Sequence, residues 1–320
     1  MGRRAALDAA IDRRLAHGLQ HHGCVRLIDS AGDGLPGLVV ETFGPVVRVE
    51  STTDNTDLDT ISAQVLDRWP SLTGAVAVRR LGRGQADVRV AAGHVPRAVV
   101  VLEEGRRFLA RPREPDAVGA GVFADQREGR RWIAEHARGG PHLNLFAHAG
   151  AFGVVAATAG ATRVDHVDAA RKCAHWSALN LALNGLDPRA HRFIVDDALK
   201  LLERVARRGP TYQTIVCDPP TAARKKAPGR KKAAAIFATR DHLPFFATSC
   251  LSALLPGGAL LLSCNDRRLR QHDFERAAEE GARAADRRLK EVAPLPLPAD
   301  FVNPDPAERS TKGVLVVVET

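Results

Sequence analysis

The stretch that decides the fold is residues 141–170, PHLNLFAHAGAFGVVAATAGATRVDHVDAA. We predict a strand at 142–147, a helix at 150–159 and a second strand at 163–168. Strands that are apolar on both faces and alternate with helices are typical of a parallel sheet that helices cover on both sides. This unit therefore predicts an α/β architecture.

The same alternation continues on both sides of this unit. Further helices are predicted at 128–138, 169–184, 198–208, 238–255 and 272–281, and further strands at 191–197, 212–218, 257–264 and 313–320. The predicted fold class is therefore α/β, a Rossmann-like sheet with helices on both faces. In such sheets ligands bind beyond the carboxyl ends of the strands, so the residues just after each strand are the candidates for function.

The first half of the chain has a different rhythm. Leu7, Ile11 and Leu15 are four residues apart and predict an opening helix. A hairpin turning at Phe43-Gly44-Pro45 follows, then a helix near 58–69 and strands near 75–81, 87–91 and 98–102. A second hairpin turns at Glu104-Gly105 into the strand RRFLARP. We predict an N-terminal helix at 1–20, a small α+β domain at 21–112 and the larger α/β domain at 113–320.

Composition limits the class of protein. Of the 320 residues, 45% are hydrophobic and 26% charged, as expected for a soluble globular protein. A net charge of +9 favours anionic partners, nucleic acid above all. The five cysteines are scattered and never spaced C-x-x-C, which predicts neither disulfides nor a zinc site and favours the cytoplasm. Charged residues interrupt every apolar run, so no membrane span is expected.

Four consecutive strand ends carry turn-forming or acidic residues. The small-residue turn at Gly150 suits close approach of a ligand to a helix N-terminus, or is simply a tight turn. Asp168 is placed to accept both ribose hydroxyls of a nucleoside, or to cap the next helix. One member of the Asp196-Asp197 pair is a cap, and the other could hold an adenine amino group. Asp218-Pro219-Pro220 ends the fourth strand.

This series favours an S-adenosylmethionine-dependent methyltransferase over a dehydrogenase. A dehydrogenase needs a glycine-rich pyrophosphate turn of the form G-x-G-x-x-G, and the turn at residues 147–153 does not have it.

Several short motifs carry a resemblance that covers nearly the whole chain from about residue 22. They are DGLPGLVVETFG (33–44), GVFADQREGRRWI (121–133), LNLFAHAGAFG (143–153), RFIVDDALKLL (192–202), DPPT (218–221), RDHL (240–243) and LLSCND (261–266). In this combination the chain resembles the bacterial large-subunit (23S) ribosomal RNA methyltransferases that modify cytosine C5 or guanine N7. The resemblance implies a class I methyltransferase fold with S-adenosyl-L-methionine as cofactor.

The resemblance also implies roles for individual residues. Gln126 and Arg127 would approach the methionine end of the cofactor, where Arg127 could pair with its carboxylate. The alternative for Arg127 is a surface arginine at a helix start. Asp168 would hold the ribose and Asp197, beside Asp196, the adenine. The cofactor loop would be lined by Asn144, Phe146, His148 and Gly150. Asp218, Pro219 and Pro220 would face the target base across from the methyl group, with Asp218 also near the cofactor.

The sequence departs from the family in two places. The cofactor loop has Ala147-His148-Ala149 where the family has Ser-Tyr-Thr, which removes hydroxyl donors. The RNA-binding module that often precedes the small domain is not expected here, because residues 2–18 are too few to form one. RNA would then be gripped elsewhere. The cationic loop that follows Asp218 is the candidate RNA-binding segment, and the alternative is a solvated loop without contacts. Its charged residues are Arg224, Lys225, Lys226, Arg230, Lys231 and Lys232.

The motifs point to two different target bases. Cys264 stands where the cytosine-C5 branch has its nucleophilic cysteine, which attacks C6 of the base. Thr221 and the pair Asp241-His242 match the guanine-N7 branch, which needs no covalent help. Cys264 is then a small buried hydrophobic residue. The cysteine leads us to favour cytosine slightly.

Two other classes of function stay open at this point. One is methylation of a small molecule or a protein on the same scaffold, and the other is RNA binding without catalysis. The preferred interpretation is a cytoplasmic enzyme that binds ribosomal RNA, naked or in an assembly intermediate, without a metal or a membrane. A homodimer is left open.

Overall fold

The computed structural model describes residues 2–82, 85–115, 120–225, 234–302 and 311–320. The chain divides into two compact units. The first contains Met1–Asp125 and Pro298–Pro304, and the second contains Gln126–Leu297 and Asp305–Thr320. The boundary predicted from the sequence lies earlier, between residues 112 and 113.

The first unit is an α+β structure. Its helices are α1 (Arg3–Ala16) and α2 (Leu58–Arg68). Its strands are β1 (Arg26–Asp29), β2 (Leu38–Phe43), β3 (Val46–Ser51), β4 (Gly74–Gly82), β5 (Gln85–Gly93), β6 (Val99–Glu103) and β7 (Arg106–Ala110). Every helix and strand predicted for this half is present, whereas β1 had not been predicted.

The strands of the first unit form one sheet and one hairpin. The sheet has the order β1-β2-β3-β4-β5, and β6 pairs with β7. Only β3 and β4 run parallel, because α2 returns the chain to the same edge, and all other neighbours are antiparallel. Leu7 and Ile11 of α1 are fully buried in the same core as the sheet residues. The opening helix is therefore an integral part of this unit.

The second unit alternates strands with helices. Its helices are α3 (Arg127–His136), α4 (Ala151–Thr158), α5 (Arg171–Leu183), α6 (Ala198–Arg208), α7 (Thr239–Ala253) and α8 (Gln271–Ala284). Its strands are β8 (Pro141–Leu145), β9 (Arg163–Asp168), β10 (Arg192–Val195), β11 (Tyr212–Cys217), β12 (Ala222–Lys225), β13 (Ala234–Ala238), β14 (Leu254–Cys264), β15 (Leu289–Pro294) and β16 (Lys312–Val318). The predicted alternation is confirmed, and β12, β13 and β15 are additions to it.

Seven of these strands form one sheet in the order β10-β9-β8-β11-β14-β16-β15. The expectation of a parallel sheet is correct for six strands and wrong for β16, which runs antiparallel to both neighbours. The crossover through α8 places β15 two positions from β14, and β16 returns into the gap between them. All seven residues of β16 are buried there.

Helices cover both faces of this sheet. The face that carries Leu143, Ile215 and Leu262 packs against α6, α7 and α8 and forms the main core. The opposite face packs against α3, α4 and α5. No helix in the described ranges is both long enough and apolar enough to cross a membrane.

The face under α3–α5 also carries two buried histidines, His142 and His166. The His166 ring stacks on Phe193 with ring centroids 5.2 Å apart, and it fills the space beside Gly153, where an added Cβ would lie 2.2 Å from Cε1. Burial lowers the pKa of both histidines to about 3. Both rings are therefore neutral at physiological pH.

Candidate active site

The carboxyl ends of five parallel strands meet at one edge of the large sheet. Val195 of β10 pairs with Asp168, Leu145 of β8 with Cys217, and Cys217 with Leu262 of β14. The strand ends that the sequence analysis singled out are therefore neighbours in the order β10, β9, β8, β11, β14. Such an edge is where open α/β sheets bind their ligands.

The turn after β8 has an unusual backbone. Phe146 and His148 have φ angles of +55° and +49°, which are uncommon for residues with side chains and are found preferentially at functional sites. Gly150 has φ +78° and precedes α4. An added Cβ at Gly150 would lie 2.6 Å from Ser177 Oγ, so only glycine fits. The loop is thus held close against α5.

This turn grips Asp168. The backbone N–H of His148 donates to Asp168 Oδ2 at 3.0 Å, and the N–H of Ala170 donates to Oδ1 at 2.9 Å. The His148 ring also lies against Trp176, with centroids 5.2 Å apart. The Cys173 side chain also hydrogen-bonds to this carboxylate. A carboxylate has four lone pairs in all, so Asp168 keeps acceptor capacity after these bonds. This geometry suits a ligand with two neighbouring hydroxyl groups.

A buried hydrogen-bond chain connects the start of α3 to the end of β11. Gln126 Nε2 donates to Ser263 Oγ at 3.1 Å, and Ser263 Oγ donates to Asp218 Oδ1 at 2.7 Å. Gln126 is 3% exposed and Ser263 is fully buried. Asp218 is therefore held by residues far away in the sequence.

Arg127 begins α3 and is 2% exposed. The alternative of a surface arginine does not apply to this position. A buried guanidinium is permanently charged, and its bidentate geometry is suited to a carboxylate.

Two further polar groups fit a bound cofactor. Within the described parts of the chain, Gln126 Oε1 and Asn144 Nδ2 are buried and have no hydrogen-bond partner. Buried polar groups are rarely left unsatisfied, so such atoms are expected to bind a ligand or water. The acceptor Gln126 Oε1 matches the ammonium group of an amino acid, and the donor Asn144 Nδ2 and the buried Arg127 match its carboxylate. The residues present therefore fit S-adenosylmethionine.

Asp196 and Asp197 have local partners. Asp197 Oδ1 accepts from the N–H of Leu199 at 2.9 Å and caps α6. Asp196 accepts from the N–H of Asp197 and from the guanidinium of Arg204, which lowers the Asp196 pKa. The structure thus gives Asp197 the cap role that the sequence analysis assigned to one of the pair.

The Asp218-Pro219-Pro220 segment is fixed by its neighbours. The Thr239 hydroxyl donates to the Pro220 carbonyl at 2.6 Å, and the Thr239 N–H donates to the Thr221 carbonyl at 3.1 Å. Thr221 Oγ1 donates to Asn265 Oδ1 at 2.9 Å and joins the ends of β11 and β14. Pro219 is buried and Pro220 is exposed. The segment is therefore anchored to the protein through Pro219 and exposed to solvent at Pro220.

Cys264 ends β14 and has no exposed surface. Burial raises the pKa of its thiol to about 12, although the N–H of Asp266 donates to Sγ at 3.4 Å. A nucleophilic cysteine needs an accessible thiolate, and this environment disfavours one. Cys217 is also fully buried in the core.

Phe146 belongs to an aromatic cluster rather than to an open surface. Its ring centroid lies 5.8 Å from those of Phe237 and Phe246. The ring of His242 lies 5.8 Å from that of Phe237, and His242 Nδ1 is 3.0 Å from the Ala238 carbonyl oxygen. The cluster connects the turn after β8 to the hairpin of β12 and β13.

The cationic loop leaves from this hairpin. Arg224 and Lys225 lie on β12, opposite Ala235 and Ala234 of β13. Lys226, Arg230, Lys231 and Lys232 lie outside the residues that the structure describes. The predicted RNA contacts of this loop therefore stay a prediction.

Residues 71–316 match the family model of S-adenosylmethionine-dependent methyltransferases. The chain belongs to this family. The predicted methyltransferase class and its cofactor, S-adenosylmethionine, are confirmed.

Relatives of this methyltransferase carry more specific names. Ribosomal RNA large subunit methyltransferase I of Aeromonas hydrophila is 30% identical over 270 residues, which are 82% of this chain and 66% of that protein. A ribosomal RNA large subunit methyltransferase of Deinococcus radiodurans is 30% identical over 302 residues, 90% of this chain and 72% of that protein. The chain thus spans just under two thirds of the first relative. The resemblance to bacterial large-subunit ribosomal RNA methyltransferases is confirmed.

Solved structures agree on the fold of the methyltransferase. A Streptococcus mutans protein described as an S-adenosylmethionine-dependent methyltransferase superposes with a TM-score of 0.81 at 23% identity. The superposition covers 98% of this chain and 80% of the other. At this identity the likeness concerns the fold, and the predicted Rossmann-like class is confirmed.

Sequence reasoning had missed Ser263 and Thr239 as parts of the site. Ser263 lies in a strand, one residue before the cysteine that drew attention, and the rule that function follows strand ends would have included it. Thr239 starts α7 and carries no signal of this kind, because its partner, the Pro220 carbonyl, is a backbone atom.

Proposed function

We propose that this methyltransferase modifies a base of RNA, with bacterial 23S ribosomal RNA as the substrate. The single observation that carries the proposal is the preorganised Asp218-Pro219-Pro220 segment at the cofactor edge of the sheet. A net charge of +9 and the cationic stretch 224–232 support a nucleic-acid partner, as do the names of the relatives. A cytoplasmic location follows from that substrate, free or in an assembling subunit.

For the target atom, we propose guanine N7 rather than cytosine C5. Methylation at cytosine C5 needs a thiolate that attacks C6, whereas N7 of guanine is itself nucleophilic. Cys264 is fully buried, with a pKa raised to about 12. This environment favours the guanine alternative, which Thr221 and Asp241-His242 also match.

The proposal gives each side chain a task. S-adenosylmethionine supplies an electrophilic methyl group bound to a sulfonium. Asp168 accepts the ribose hydroxyls, and Gln126, Arg127 and Asn144 hold the methionine end. Asp197 contacts the adenine in addition to capping α6.

At the other end, Asp218 and Thr221 grip the base. A carboxylate accepts from the N1–H and N2–H groups of guanine, on the edge opposite N7, so this grip turns N7 away from Asp218. The rigid prolines fix the grip for a base turned out of its stack. Asp218 therefore orients the nucleophilic atom without exchanging a proton with it.

Mass spectrometry of ribosomal RNA nucleosides tests the substrate. Cells that lack the gene should lose one methylated nucleoside, 7-methylguanosine, and purified enzyme with S-adenosylmethionine should restore it on the unmodified RNA. Loss of 5-methylcytidine would overturn the choice of atom, and an unchanged set of nucleosides would overturn the RNA substrate.

Mass photometry of the purified protein tests whether it forms a homodimer.

Cys264→Ser tests the choice of atom independently. Because the thiol is buried, we expect the variant to keep its activity within about threefold, and we expect no covalent adduct with RNA that contains 5-fluorocytidine. Loss of activity by a factor of about a thousand, together with an adduct in the wild type, would restore the cytosine interpretation. Cys250→Ser, at another fully buried cysteine, controls for packing.

A further inference from the structure

Ser263 is the centre of the chain that runs from Gln126 to Asp218. Its hydroxyl lies 3.1 Å from Gln126 Nε2 and 2.7 Å from Asp218 Oδ1. The three residues come from the start of α3, the end of β14 and the end of β11. The Ser263 hydroxyl contacts both of the others.

The directions of these bonds follow from proton counting. A serine hydroxyl has one proton and an ionised carboxylate has none, so the hydroxyl must donate to Asp218. It then has only lone pairs left for Gln126, so the glutamine must present its NH2 group. The amide orientation is thereby fixed, with Nε2 toward Ser263 and Oε1 away from it.

The other side of Gln126 offers nothing to compete with this orientation. Oε1 lies beside Gly129, 3.2 Å from the position where a Cβ would stand, together with methyl groups of Leu261 and Leu295. Within the described chain, Oε1 has no hydrogen-bond partner. A flipped amide would turn its NH2 group toward these methyl groups and toward the ammonium of the proposed cofactor, and it would present an acceptor to a hydroxyl whose proton is already used.

We infer that Ser263 is a positioning residue that sets the Gln126 amide and the Asp218 carboxylate with a single proton. The inference rests on the proposed function, in which Gln126 serves the cofactor and Asp218 serves the base. One hydroxyl then preorganises both ends of the methyl transfer. Removing it takes one hydrogen bond from both ends together.

Titration of S-adenosylhomocysteine into the purified protein is the first test. Ser263→Ala should weaken its binding about tenfold, the effect of one misplaced buried hydrogen bond. Ser62→Ala is the matched control, because Ser62 is fully buried and its hydroxyl donates to the Leu58 carbonyl of its own helix. It should leave the affinity unchanged. Equal affinity of Ser263→Ala and wild type would overturn the inference.

A double-mutant cycle separates positioning from simple loss of stability. Gln126→Ala should also weaken binding, and adding Ser263→Ala to it should weaken binding by less than about twofold more, because the serine acts through the glutamine. Independent, multiplying effects would contradict the inference. If Ser263→Ala does not fold, Gln126→Glu, which has no NH2 group to donate to Ser263, should weaken binding of S-adenosylhomocysteine about tenfold; an unchanged affinity would then count against the inference.

These measurements are independent of the RNA substrate. Binding of S-adenosylhomocysteine requires no RNA, so an unchanged affinity in Ser263→Ala refutes the inference while the proposed function stands. If the wild-type protein methylates no RNA, the proposed function is refuted. The double-mutant cycle on cofactor binding still decides the role of Ser263 in that case. In an active enzyme, Ser263→Ala should lower kcat and cofactor affinity together, whereas a purely structural serine would lower only Tm.

Discussion

The carboxylates at the ends of β10 and β11 are held in opposite ways. Asp196 and Asp197 bond to groups no more than eight residues away, at Leu199 and Arg204. Asp218 bonds to Ser263, 45 residues further on, and through it to Gln126, which lies 137 residues before Ser263. The local hydrogen bonds shape the start of α6. The long-range hydrogen bonds fix the Asp218 carboxylate relative to α3 and β14.

This difference separates folding from chemistry. A cap satisfies the free N–H groups of its own helix and contributes about 1 kcal/mol to stability. A carboxylate held by distant elements keeps its direction when a substrate binds, which is the requirement for preorganised catalysis. Acidic residues at neighbouring strand ends therefore need not share a role.

Removal of Asp218 should have the largest effect. In Asp218→Ala, kcat/KM for RNA methylation should fall by at least about a hundredfold, because the base loses the group that orients it. Thermal unfolding should change little by comparison. Activity within threefold of the wild type would break the comparison, since Asp218 would then be no more important than a helix cap.

Asp168 should come second, and its effect should appear in cofactor binding. Asp168→Ala should weaken binding of S-adenosylhomocysteine by about 1–3 kcal/mol, because two ligand hydroxyls lose their acceptor. Isothermal titration calorimetry measures the difference. Asp187→Ala, which removes an exposed carboxylate paired with Arg189, is the control and should bind normally.

The pair on β10 should show the smallest effects. Asp197→Ala should lower the free energy of unfolding by about 1 kcal/mol through loss of the α6 cap. Its effect on cofactor affinity should be at most severalfold. Asp196→Ala removes an exposed pair with Arg204 and should stay within about 0.5 kcal/mol. Urea unfolding of both variants sharpens the comparison, and a loss of RNA methylation equal to that of Asp218→Ala would contradict it.

Local signals made most of the fold predictable. The apolar strands of the second unit, the turn at Gly44 and the helix capped at Asp197 all follow from residues close in the sequence. The place of β16 did not follow, because an apolar strand does not record which neighbours it pairs with or in which direction. The strand β1 has only four residues, too few to show a period.

The candidate site was predictable to the same extent. Asp168, Asp197 and Asp218 stand at strand ends, which the alternation of strands and helices locates. The burial of Cys264 was not accessible to sequence, since the residue that ends a strand faces either the ligand or the core. The Ser263 contacts depend on the packing of α3 against β14, which joins residues more than a hundred positions apart.

The two neutral histidines under α3–α5 make the second unit sensitive to acid. His142 and His166 have a pKa near 3 in the folded chain, against an ordinary value of about 6.5 in the unfolded chain. Below pH 6.5 the unfolded state binds these protons and the folded state does not, so acidification favours unfolding. The stability therefore falls steadily as the pH decreases from about 6.5 toward the folded-state pKa of the two histidines. The His166 ring is packed against Gly153 of α4, so its protonation favours the unfolded chain over the packing of α4 on the sheet.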